Sequence, residues 1–200
     1  MLMTHIPEML FSEKAGWVDI DRAHSPSHWF FKNLVLPMSL LPPALYAYAE
    51  LVHPGEVFAR SVPAMTPVQL LVMGLVFYVA QLLMVTYMAM LIQRTALARD
   101  HDPGYHGAYA LAAIAPVPLW LSSLSLLVPN TGFVVAAVAL AWIASAALIR
   151  HGVRPLLHIS DGKRAHHVAN LVTLAGVVAW VGLIVVTEIV LSLVLGWWAV

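Results

Sequence analysis

Glu188 stands in a long apolar run near the end of the chain, ten residues before Trp198, or about 15 Å along a helix. An ionisable side chain at that depth is costly in hydrocarbon and marks a functional site by default. Gln81 lies fourteen residues into another apolar run, about 21 Å deep from the same face. Ser122, Ser123 and Ser125 occupy the outer half of a third run. One outward-facing polar cluster could hold Glu188, Gln81 and a serine. Lined by broken helices, it would be a proton or cation site of the transporter kind. The simpler chemistry is structural, with a hydrogen-bonded glutamic acid holding helices together. We favour the structural reading.

Histidine is the second chemical feature, with ten in 200 residues. Imidazole suits zinc, nickel or copper, so His101, Asp102, His106, His166 and His167 are the candidates for a divalent-metal site. None of these has tight ligand spacing, since adjacent His166 and His167 point apart on a helix. Pro26 likewise spoils a helical pairing of His24 with His28. Solvated loop histidine is the better reading. With no cysteine, thiolate chemistry and cysteine-ligated metals are excluded. No nucleophile–base pair, P-loop or nucleotide fingerprint is visible, so neither an enzyme nor a cofactor is expected.

The elements that must position these groups are membrane helices. The chain is 61% hydrophobic and only 10% charged, with zero formal net charge, which argues against nucleic acid as a partner. The reading is all-α: a polytopic membrane protein with five transmembrane helices in one bundle. The spans are expected at about 33–52, 67–93, 105–128, 132–149 and 168–198. Residues 1–32 form a cytosolic N-terminal segment, either a helix on the membrane surface or an ordered cap on the bundle. The N-terminus lacks a basic region followed by an apolar core, so the spans themselves are expected to direct insertion.

Proline breaks two of the spans. Pro37, Pro42 and Pro43 interrupt the first, and Pro116 and Pro118 the third. Each removes a helical hydrogen bond, which a membrane tolerates only where protein or water satisfies the freed carbonyl. The third span must therefore be packed inside the bundle. The prolines either fix bends or define a hinge, and bends are the simpler outcome. Pro67 suits the first position of the second span. Pro129-Asn130-Thr131-Gly132 is a turn that makes spans three and four a hairpin. Ala137, Ala141 and Ser145 repeat every four residues, placing the fourth span centrally or against a second subunit. Trp17, Trp29, Tyr105, Trp197 and Trp198 read as interfacial anchors.

Lysine and arginine number three in the N-terminal segment, then one, two, none and four in successive loops. An N-terminus in the cytoplasm therefore puts nine inside and one outside.

Gly16-Trp17-x-x-Ile20, Leu36-Pro37, Leu41-Pro42, the run Gly107-Ala108-Tyr109-Ala110 through Ala115-Pro116-Val117-Pro118-Leu119-Trp120-Leu121, and Val128-Pro129 together carry a resemblance. The chain resembles the YIP (Ypt/Rab-interacting protein) family, on the bacterial branch of the Yip-one domain membrane proteins. The resemblance covers nearly the whole chain and implies the five-span fold. Eukaryotic members look like small-GTPase-binding, membrane-shaping or trafficking factors with long N-terminal segments; here that segment is short, so GTPase binding does not carry over. The resemblance carries fold and topology but hardly any function; the leading reading is a non-enzymatic inner-membrane protein of YIP type acting through lipid or protein contacts, with membrane lipids and a second copy or another membrane protein as the expected partners. The alternative is a small transporter or channel using Glu188 and the broken spans.

Overall fold

In a computed structural model, residues 9–11, 16–23, 25–57, 65–97 and 104–195 are described. Among them the elements are helical, and five helices are long and apolar enough to cross a membrane. They are Ser27–Val52, Pro67–Leu97, Gly104–Leu127, Thr131–Leu156 and a helix from Gly162 to Leu195. All five expected spans are present, and four of them overrun their expected limits. The first starts at Ser27 rather than 33, the second reaches Leu97, the fourth continues to Leu156 and the fifth begins at Gly162. Hydropathy sees only the hydrocarbon-matched part, whereas backbone hydrogen bonding carries a helix on into water.

Local sequence sets the ends. Thr66 and Gln69 form a reciprocal cap: Gln69 N donates to Thr66 Oγ1 at 3.3 Å, and Thr66 N to Gln69 Oε1 at 2.8 Å. Asn130 Oδ1 accepts from Phe133 N at 3.0 Å and starts the fourth span. Asp161 Oδ1 accepts from Lys163 N at 2.9 Å at the start of the fifth. The first span is irregular where proline intervenes. A π turn over Phe31–Val35 brings Leu36 N to the carbonyl of Phe31, just before Pro37. The third span breaks at Ala115-Pro116 and ends in a tight 3₁₀ turn, Ser123–Leu127.

The third span is the centre. Every residue from Ala108 to Ile114 is buried, and small side chains let neighbouring backbones approach. Half of its most apolar stretch is enclosed by the chain, against 6% for the fifth span. The fourth span is less central than its alanines suggest. Ala141, Ser145, Leu148 and Ile149 are buried, but Val135, Leu140 and Ile143 point outward. Outward faces such as Val68, Leu71, Leu75 and Val178 are apolar, as lipid contact requires.

A short helix, Trp17–Ala23, precedes the spans and packs on the fourth. Trp17 is fully buried, donating its indole N–H to the carbonyl of Met9 at 3.1 Å. Its ring seats against Gly152, where an added Cβ would lie 2.7 Å from Cη2. The expectation of Trp17 as an interfacial anchor is therefore corrected: the ring sits in the core. His158 Nε2 meets Asp21 Oδ1 at 3.1 Å and ties the fourth loop to the same helix. The segment over 17–23 is thus a cap on the bundle. Trp29 and Tyr105 are part-exposed at span ends, while Trp197 and Trp198 lie outside the described residues.

Candidate functional site: an intramembrane cavity and its polar staple

The proline breaks determine where polar groups are needed. Pro43 has no N–H for the carbonyl of Ser39, four residues back. Gln81, from the middle of the second span, supplies it: Nε2 donates to Ser39 O at 3.0 Å. Three residues earlier, Tyr78 Oη donates to Leu36 O at 3.3 Å. The same Gln81 accepts through Oε1 from Trp120 Nε1 at 2.8 Å. Trp120 follows the break at Pro116-Val117-Pro118, so one buried amide joins the broken first and third spans through the second.

Beside this staple lies a cavity of about 380 Å³ between spans two, three, four and five, with Pro42 of the first span at its wall. Its wall is mainly apolar, with Met84, Met88 and Leu183 among the lining residues. Gln81, Ser122, Ser123 and Ser125 line it too, so four of the five expected cluster residues share one space. The serines are occupied locally, each donating to the carbonyl three residues back: Ser122 to Leu119, Ser123 to Trp120 and Ser125 to Ser122. Trp142 and Trp180 meet edge to face across the seam of spans four and five, with centroids 5.3 Å apart.

Glu188 stands apart from this group. It is exposed and is not among the residues lining the cavity. It lies five residues beyond Leu183, about 140° round the helix from that cavity-facing side chain. The expected pairing of Glu188 with Gln81 is therefore not what the structure places; Gln81 faces Ser39 and Trp120 instead. Glu188 is nearer the end of the first span, where Tyr46 packs against the cluster that holds Leu191 of the fifth. Glu50 and Tyr46 are groups that sequence reasoning missed, although a carboxylate inside the expected span 33–52 was the signal that could have found them. A proline-by-proline search for freed carbonyls would have pointed to Ser39; nothing in the sequence pointed to Trp120 as the second partner.

Ser145 also lines the cavity, and it differs from six other hydroxyls in the spans. Ser39, Thr86, Thr95, Thr173, Thr187 and Ser192 each donate to the carbonyl four residues back. Ser145 is 5% exposed, and among the described residues its Oγ has no hydrogen-bond partner.

Of the metal candidates, His106, His166 and His167 are exposed, and His166 Nδ1 lies 2.9 Å from the carbonyl of Gly162. His101 and Asp102 lie outside the described residues. Among the described residues, no three His, Asp or Glu side chains come together as a metal site.

The family model for the Yip1 domain matches residues 8–199. The chain belongs to the Yip1-domain family. Comparison with curated proteins and with solved structures returned no match. As a multi-pass Yip1-domain membrane protein it contacts lipid through its outward apolar faces. The Gly16-Trp17 and Pro116-x-Pro118-x-Trp120 patterns that carried the resemblance are the residues that dock the N-terminal helix and close the staple.

Proposed function

We propose that this Yip1-domain protein is a non-enzymatic organiser of the inner membrane, acting through lipid and protein contacts. The observation that carries this reading is the use of Gln81. Its amide closes the breaks of spans one and three against each other, while Glu188 is exposed on another side of the fifth span from the cavity-lining Leu183. The broken helices of a transporter instead aim their freed groups at a substrate. The loop charges support an orientation with the N-terminus and the Arg150–His167 stretch in the cytoplasm.

The test is proton flux in reconstituted vesicles under an imposed potential, followed with an internal pH dye. The expected outcome is a leak equal to that of empty vesicles, for both the wild type and Glu188→Gln. A wild-type flux that Glu188→Gln abolishes would establish transport instead.

A second reading is kept for one observation only. Glu50 and Glu188 lie on the first and fifth spans, whose ends meet where Tyr46 packs against the cluster that holds Leu191. Such an arrangement suits a cation at the outer end of the bundle, and the same flux assay with sodium or potassium gradients decides it.

A further inference from the structure

The cavity and the orphaned hydroxyl beside it call for an explanation that scaffolding does not provide. A buried hydroxyl without a partner forfeits hydrogen bonding that water or a helical carbonyl would supply. Ser145 could donate to its own helix, as Ser39, Thr86, Thr95, Thr173, Thr187 and Ser192 do, yet among the described residues it does not. Gln81 adds a second unengaged donor. Its Nε2 carries two hydrogens, and Ser39 takes one. Both residues line the same cavity, whose volume of about 380 Å³ falls within the range of small-molecule sites between bundle helices.

From this we infer that the cavity between spans two to five binds a small, membrane-soluble molecule with an apolar body and one oxygen, which accepts a hydrogen bond from Ser145. The depth of Ser145 argues for this class of ligand. It lies fourteen residues into the fourth span from Thr131, about 21 Å, and five residues, about 7.5 Å, short of Arg150, so it sits inside a hydrocarbon core roughly 30 Å thick, on its Arg150 side. An alcohol or carbonyl on a single chain or ring reaches it there with its apolar body in the hydrocarbon. Three tryptophans, Trp120, Trp142 and Trp180, form part of the wall and offer flat apolar contact. Trp180 is 36% exposed, so the seam it closes with Trp142 opens toward lipid, the phase in which such a molecule dissolves. Rotation of Ser145 about its Cα–Cβ bond turns the hydroxyl from its shielded position to the ligand.

The inference goes beyond the scaffold reading and is independent of it, because binding requires neither catalysis nor flux. The wall tryptophans supply the assay. Purified protein in nanodiscs is titrated with 10-bromodecan-1-ol, whose bromine quenches indole fluorescence on contact, and with 1-bromodecane, which lacks the oxygen. The expected result is saturable quenching by the alcohol over a linear background from probe dissolved in lipid. Ser145→Ala should weaken the saturable binding of the alcohol by roughly three- to tenfold, the worth of one hydrogen bond, and leave that of the alkane unchanged. Gly176→Leu should abolish the saturable phase. Gly176 lines the cavity and a Cβ there meets nothing within 4 Å, so a leucine can start from that position and occupy the space. Quenching that stays linear, or that saturates equally in Gly176→Leu, would overturn the site. Equal affinity for alcohol and alkane, or no effect of Ser145→Ala, would overturn the recognition of oxygen.

Discussion

The side-chain amide of Gln81 donates to the carbonyl of Ser39 at 3.0 Å, the carbonyl that Pro43 deprives of its helical donor. A break in one membrane helix is thus repaired by a side chain from its neighbour, and that side chain is held in place by Trp120 of a third. Gln81→Leu would leave Ser39 O and Trp120 Nε1 without these partners. The expected cost is about 1–3 kcal/mol for each buried group left unmade. A lowered midpoint of thermal unfolding in detergent checks it, and an unchanged midpoint would mean that lipid or water serves those groups equally well.

The seat of Trp17 predicts a larger effect from a smaller change. Gly152→Ala adds one carbon, yet that carbon would fall 2.7 Å from Trp17 Cη2 and 2.8 Å from Leu111 Cδ1. Overpacking of this kind costs about 1–3 kcal/mol. Protease access to the N-terminal helix should rise along with the loss of thermal stability. If both stay at wild-type levels, the indole has room to move that the structure does not show.

Two alanines on the fourth span separate its faces. Ala141 is buried and Ala139 is exposed. Ala141→Leu should destabilise by about 1–3 kcal/mol, while Ala139→Leu, facing lipid, should change stability by less than about 0.5 kcal/mol. Equal effects would mean that the fourth span is rotated or covered by a second copy of the chain.

Orientation is open to direct labelling because the chain has no cysteine. Glu56→Cys lies in the first loop and Lys163→Cys at the start of the fifth helix, both exposed. In intact cells a membrane-impermeant maleimide should label Glu56→Cys and spare Lys163→Cys. The reverse pattern would invert the bundle.

Much of the fold was legible because its causes are local. Apolar length marks the five spans, Pro67 with its preceding threonine marks a helix start, and Pro129-Asn130 marks a turn between helices. The site was less legible because its causes are rotational. A helix that is apolar nearly all round, such as the second or fifth span, carries no stripe to say which side faces its neighbours. Depth alone therefore grouped Glu188 with Gln81, while their directions in the bundle separate them. Trp17 was misplaced for a related reason. An indole near a span end has the same local pattern whether it lies at the lipid headgroups or under another helix. Only the glycine at 152, more than a hundred residues away, distinguishes the two.

That separation gives the N-terminal helix a history. Trp17 is made early, and its seat at Gly152 is made late. At about 5–20 residues per second, the roughly 135 residues between them take about 7 to 27 s to synthesise. Three spans are complete before the fourth brings the glycine into place. For that interval the seat of the indole at Gly152 does not yet exist. Its docking therefore reports that the fourth span has arrived, and the cap closes only on a chain whose bundle is nearly complete.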